Sequence, residues 1–430
     1  MRGLTYLAIG VGLGLAACSN DVDPRVIAGG GVGDGEIDGE VNVYVIDSRT
    51  DAPVAGATVA IGETNKTTDA KGLVTFGDVE GAQTIAVKAT DYRNTVWVGV
   101  NGANVTIPIP PQTGAPEQAT MAGTIAGWSN ITVAAGHAKA AAVTYSQSDD
   151  LGDDANNIQT PGNANICFAG NECNWSVVSR TGPVTLIALI VDRDLKGTPA
   201  QLDDDTNTVI GYAFKTGVMV NAGVNQSGLV LDQVEAGNLE TLTYDLGTPP
   251  AGLPETLALP GIEITSDEVI QLPLFVFTKE TSVLVPKRTV FGGTATYRLT
   301  AVAQTTSGEM GAQSIVLRQG QTTANLEAGT WLVPPVNVNV TRTTASWDLV
   351  SGAAAHSVKW EDEMGEVLEI SVFDSKTKEV EVPNLVALPT SGTLTAKVQG
   401  IGADFDVNDF SLKDDSDLLW GISAQPASIP

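Results

Sequence analysis

Residues 41–89 read VNVYVIDSRTDAPVAGATVAIGETNKTTDAKGLVTFGDVEGAQTIAVKA. Val41, Val43 and Val45 alternate with Asn42 and Tyr44, the period of two expected of a strand with one buried face. Asp47 to Val54 is rich in turn formers, and Ala55-Gly56-Ala57-Thr58-Val59 opens a second strand. Thr68-Asp69-Ala70-Lys71-Gly72 is a tight hairpin leading into Leu73-Val74-Thr75-Phe76. Val79-Glu80-Gly81-Ala82 turns the chain again into a strand over 84–89, and 105–109 closes the set. Short strands separated by Gly, Asn, Asp and Pro in this manner predict stacked antiparallel sheets.

The same texture continues along the chain. Strands are expected over 121–128, 138–146, 174–180, 184–191, 210–214 and 228–231, then over 269–278, 295–303 and 314–318. No convincing amphipathic helix occurs, and the alanine-rich stretch 137–143 is the nearest to one. GTPPAGLPETLALPG at 247–261 reads as a linker or long loop. The expected organisation is all-β, a tandem of β-sandwich domains after a leader and a flexible linker. Its parts are a leader over 1–17, a Gly- and Asp-rich spacer over 18–40, a first sandwich over 41–112, and a second β region over 113–234. A third region over 235–335, either separate from the second or continuous with it, precedes a sandwich over 336–405 and an acidic tail over 406–430.

Two modules resemble known families. The order of V-x-D, P-V-x-G-A-x-V, T-D-A-x-G, F, V-x-G and V-x-A across 41–89 resembles the carboxypeptidase regulatory-like domain, a prealbumin-type β-sandwich. Asp51 stands where that family has a turn glycine, and Asp91-Tyr92 where Gly-Tyr is common. The resemblance implies an accessory module without catalytic residues. Ser346-Trp347 through Val358-Lys359-Trp360 resembles the B–C strand pair of a fibronectin type III domain, which implies a tryptophan buried between two sheets. His356 stands where that family has tyrosine.

The leader has its own signature. Arg2 precedes an apolar run, LAIGVGLGLAA, over 7–17. That run is shorter than the roughly 20 residues a helix needs to cross a bilayer, and it fits a secretory signal. Leu15-Ala16-Ala17-Cys18 resembles the bacterial lipobox. The resemblance implies diacylglyceryl attachment to the Cys18 sulfur, cleavage before Cys18, and a third acyl chain on its amine. One acyl chain anchors weakly, at roughly 0.8 kcal/mol per buried methylene, whereas two or three hold stably. Ser19, rather than aspartate, follows the cysteine, which by the sorting rule of well-studied Gram-negative systems favours the outer membrane. The expected partners are the lipid bilayer, through acylated Cys18, and an envelope or surface protein or glycan.

Composition limits the function. The chain of 430 residues is 43% hydrophobic, enough for several cores. Its 50 acidic against 23 basic residues leave a formal net charge of −27, which repels nucleic acid. With Cys18 lipidated, Cys167 and Cys173 remain as a pair around the turn Gly170-Asn171, and in an oxidising compartment they form a structural disulfide.

No HExxH, GxSxG, P-loop or CxxC occurs, and the two histidines, His137 and His356, lie in different modules. The expectation is therefore no enzyme, no catalytic residue, no cofactor and no resident metal. Two acidic loops invite a comparison with calcium sites: Asp192-Arg193-Asp194 with Lys196-Gly197 and Asp203–Asp205, and Asp149-Asp150 with Asp153-Asp154. Lys196 counts against the first, and solvated turns account for both. Trp97, Trp128 and Trp175 lie in strand-like segments where core packing is favoured over a sugar platform. The function expected is a membrane-anchored envelope lipoprotein that binds or braces. A surface carbohydrate or protein adhesin is the alternative, and a carboxylate-dependent hydrolase comes third.

Overall fold

The computed structural model describes residues 34–48, 52–112, 117–146, 166–168, 170–197, 206–265, 268–271, 281–306, 311–363, 365–373, 376–403 and 419–429. Among them strands dominate, interrupted by single 3-10 turns and no α-helix. The stretch 137–143, the nearest to a helix pattern, is strand.

The first sandwich comprises β1 (Asp34–Glu36), β2 (Asp38–Asp47), β3 (Thr58–Ile61), β4 (Thr64–Thr67), β5 (Leu73–Glu80), β6 (Gln83–Lys88), β7 (Asn94–Val100) and β8 (Gly102–Ile109). One sheet runs β1-β8-β2-β5 and faces β7-β6-β3-β4. Val41, Val43 and Val45 are fully buried between them, as the alternation predicts.

Side chains fix the turns. The Thr68 hydroxyl accepts from Ala57 N–H and donates to the Val54 carbonyl. The Asp69 carboxylate accepts from the backbone N–H groups of Lys71 and Leu73, which lowers its pKa. Gly72 adopts φ +70°, and a Cβ there would lie 2.5 Å from the Val45 carbonyl oxygen. Asp91 adopts φ +67°, so the left-handed turn is kept although aspartate stands in the glycine position. Tyr92 then donates to Asp47 at 2.9 Å.

The second region contains β9 (Gln118–Ile125), β10 (His137–Tyr145), β11 (Ile166–Cys167), β12 (Asn174–Arg180), β13 (Gly182–Asp194), β14 (Thr206–Val220) and β15 (Gln226–Gln233). Its sheet order is β11-β10-β13-β14-β15-β9-β12. The two edge strands, β11 and β12, are tied by the disulfide between Cys167 and Cys173, so the sheet curls back on itself around Met121, Trp128, Trp175 and Leu186. β9 and β15 run parallel and so close that a Cβ on Gly123 would lie 1.8 Å from the Leu229 carbonyl oxygen.

The third region holds β16 (Leu239–Asp245), β17 (Glu255–Thr265), β18 (Glu268–Gln271), β19 (Ser282–Pro286), β20 (Thr296–Gln304), β21 (Gln313–Gln321) and β22 (Asn325–Glu327). The expected linker at 247–261 is corrected here, because its second half is the start of β17. Pro260 lies within β17, opposite Leu299 of β20. The second and third regions share one core: Ile187, Leu189 and Tyr212 pack with Leu242, Val285 and Tyr297. Successive residues of β13 therefore feed two cores, which explains its unbroken apolar run.

The last sandwich contains β23 (Asn339–Val340), β24 (Thr344–Ser346), β25 (Ala355–Asp362), β26 (Gly365–Val372), β27 (Glu379–Glu381), β28 (Thr395–Ala403) and β29 (Leu419–Ser428). Trp347 and Trp360 are buried in it. The reading of 406–430 as an acidic tail is corrected in its final part. Residues 419–428 form β29, whose Gly421, Ile422, Ser423 and Ala424 are buried.

β29 pairs with β28 on one side and β21 on the other, and β26 pairs in parallel with β7. Three sandwiches thereby pool four strands each into one sheet, ordered β18-β17-β20-β21-β29-β28-β25-β26-β7-β6-β3-β4.

Two substitutions test the turn chemistry. Gly72→Ala should destabilise the protein by more than about 1 kcal/mol in denaturant unfolding, since it adds strain and a backbone clash. Asp91→Gly should be neutral or stabilising by up to about 1 kcal/mol.

Candidate functional site

Cys18, the residue with the most specific expected chemistry, lies outside the described residues. So do Asp149, Asp150, Asp153, Asp154 and Asp203–Asp205 of the two acidic loops. The sites that can be built are those around the disulfide, the histidines and the buried charges.

Cys167 ends β11, and Cys173 immediately precedes β12; their Cα atoms are 5.2 Å apart. Phe168, just beyond Cys167, is exposed and lies under the guanidinium of Arg193 at 5.3 Å. β10 and β13 place His137 opposite Asp194. His137 Nδ1 is 2.8 Å from Asp192 Oδ1, and its Nε2 is 3.9 Å from Asp194. Asp194 pairs with the Lys196 ammonium and accepts from the Lys196 backbone N–H. Those two bonds hold its carboxyl below the usual range. Asp192 and Asp194, the described aspartates of that loop, are thus turned to His137 and Lys196. Among the described residues no group of three or more His, Cys, Asp or Glu is placed to hold a metal ion.

His356 occupies β25 directly across from Gly400 of β28. Its Nε2 accepts from Val350 N–H at 3.1 Å, and its ring leans on Trp347 at 5.7 Å. Burial pushes its pKa down to about 4. Trp97, Trp128 and Trp175 are all buried, so none of them presents a ring to a sugar. Trp97 meets Phe373 edge-on at 5.1 Å, across the first and last sandwiches.

The densest charged cluster is one the sequence did not signal. Lys359 on β25 has a fully buried side chain, 3.1 Å from Glu366 Oε2 and 3.5 Å from Glu369 Oε1 on β26. Arg93, just before β7, lies 3.9 Å from Glu366. Burial opposes the Lys359 charge, but Glu366 and Glu369 outweigh it and raise the pKa. Burial raises the Glu369 carboxyl to about 8 against the pull of Lys359. Lys359 alternates with Val358 and Trp360, so period-two reading puts it on an outer face. That face is nevertheless buried here, with Ser357 and Lys359 both closed to solvent. A buried pair of this kind stabilises little by itself, yet removing Lys359, which would leave the buried carboxylates without their ammonium, costs about 3–5 kcal/mol.

Comparison with protein families and with curated proteins finds no match for this chain. Among solved structures, one similar chain belongs to a C-terminal interface mutant of the type II cohesin–X-dockerin complex from Acetivibrio cellulolyticus. It is 27% identical over 18% of this chain and 60% of that one, with a TM-score of 0.15. The Bacillus anthracis TIE protein is 10% identical over 67% of this chain and 49% of its own length, with a TM-score of 0.16. The shaft pilin SpaA from Lactobacillus rhamnosus GG is 10% identical over 46% of this chain and 98% of its own, with a TM-score of 0.15. Scores this low leave the fold to be read from the strands themselves.

Two outcomes are expected of these sites. Replacing Cys167 and Cys173 together by alanine should lower stability by roughly 2–3 kcal/mol, measured by denaturant unfolding with the chain otherwise intact. His356 is neutral in the folded chain, whereas in the unfolded chain it takes up a proton below its ordinary value of 6.5. Stability from this group is therefore complete above that value and is lost as pH falls toward about 4. The loss should reach about 3 kcal/mol. His356→Gln, which retains an acceptor for Val350 N–H, should flatten the difference across that window.

Proposed function

We propose that this protein is a lipid-anchored lipoprotein of the bacterial outer membrane that acts by binding or bracing, without catalysis. The observation that carries the reading is the twelve-stranded sheet pooled from three sandwiches. Such a sheet fixes modules relative to one another, as a spacer or display platform requires and a flexible string of domains does not provide. LAAC at 15–18 supplies the anchor, Ser19 favours the outer membrane, and the disulfide suits an oxidising compartment.

The non-catalytic part is supported by the engagement of the titratable groups that chemistry would need. His137 is held by Asp192, His356 is buried against Trp347, and the paired carboxylates Glu366 and Glu369 share a buried lysine. A carboxylate-dependent hydrolase would need its pair open to solvent. Of the two adhesion versions, protein binding is favoured over glycan binding. Val333, Val336 and Leu349 are exposed apolar side chains, and the bond from Asp348 N–H to the Val336 carbonyl sets 336 beside 348, while Trp97, Trp128 and Trp175 are buried.

Cys18→Ala should leave the folded domains intact and move the protein from the membrane fraction to the soluble fraction of the expressing cell. Retention of that variant in membranes would contradict the anchor. Surface proteolysis of intact cells then distinguishes external display from a periplasmic brace. A glycan array with the soluble ectodomain should give uniform blanks, and a reproducible hit would restore the sugar version.

A further inference from the structure

The pairing between the first and last sandwiches is short. Residues 94–98 of β7 run parallel to 368–372 of β26, with Glu369 opposite Thr95. The same register places Glu369 opposite Lys359, and Lys359 opposite Lys397 of β28. Glu369 and Thr95 are both buried, and the Lys359 side chain is closed to solvent.

Two carboxylates therefore draw on one buried ammonium, and they do so unequally. Glu366 is the nearer, hydrogen-bonds Lys359 at 3.1 Å and also faces Arg93. Glu369 Oε1 stands 3.5 Å from the same ammonium, the longer of the two contacts. A carboxyl group that is desolvated and only weakly paired keeps its proton to higher pH than one in water. Glu369 is the more buried of the two and the less well paired. The other charged groups facing the cluster are Arg93 beside β7, Lys397 on β28 and Glu361 farther along β25.

We propose that Glu369 stays protonated in the folded protein, and that its ionisation loosens the junction between the first and last sandwiches. The cluster is then a pH-sensitive latch built into the shared sheet. Ionising Glu369 puts a second negative charge beside Glu366 in a buried site, next to the hydrogen bonds that join β26 to β7. The sign follows from the burial. The folded carboxyl binds its proton more tightly than the unfolded one, so the latch holds at lower pH and weakens as pH rises through the raised value.

The test compares the full chain with Glu369→Gln, a neutral group of the same shape. From about pH 5 to about pH 9 the melting temperature of the wild type should fall relative to Glu369→Gln, by at least about 2 °C. At the alkaline end, amides 94–98 and 368–372 should exchange faster in the wild type than in the variant, and at the acid end equally. Infrared spectra at neutral pH should show a protonated carboxyl band that Glu369→Gln lacks, a readout that does not depend on stability. Equal melting and exchange of the two proteins at every pH would overturn the proposal. So would a variant less stable than wild type throughout, or the absence of the carboxyl band.

Discussion

Two short seams of backbone hydrogen bonds decide what this protein is as a physical object. Residues 313–316 of β21 pair with 421–424 of β29, and 368–372 of β26 pair with 94–98 of β7. A strand edge left open is a hazard, because unpaired N–H and C=O groups invite other chains. Here each sandwich presents an edge and its neighbour covers it. What would have been a chain of separately mobile domains is joined through its middle layer.

The seams in turn make the side-chain pattern intelligible. The first core takes Val302, Ile315 and Leu317 from the third region and Ile401 and Ile422 from the last sandwich. On the opposite face Ala60, Ala86 and Val96 of the first sandwich pack with Val386 and Leu388 of the last. Central strands thus bury both faces, so Ile85, Ala86 and Val87 are all enclosed. The same double burial encloses Lys359, which is met there by Glu366 and Glu369.

What was legible in the sequence was local. The alternation of Val41, Val43 and Val45, the Thr68–Gly72 hairpin and the pair Cys167–Cys173 each depend on neighbours a few residues away. Trp347 and Trp360 were expected in a core and lie in one. The errors came from signals that the tertiary context overrode. Prolines at 249, 250, 254 and 260 suggested a linker, but Pro260 lies within β17, paired opposite Leu299 of β20. The charges ahead of 419 obscured a strand whose order comes from two distant partners. No local pattern states that β26 will lie beside β7, so the cluster around Lys359 could not be read from spacing. Cys18 is a different case, since its chemistry rests on a resemblance and it lies outside the described residues.

The account stands on the C-terminal strand completing a single shared sheet. Native-state hydrogen exchange of the full chain measures this directly, residue by residue. Amides engaged in the 313–316 and 421–424 pairing should be protected to the same degree as those in the centre of β25. Exchange there as fast as at the exposed edge strand β4, with β25 still protected, would contradict it: the sandwiches would then be separate bodies.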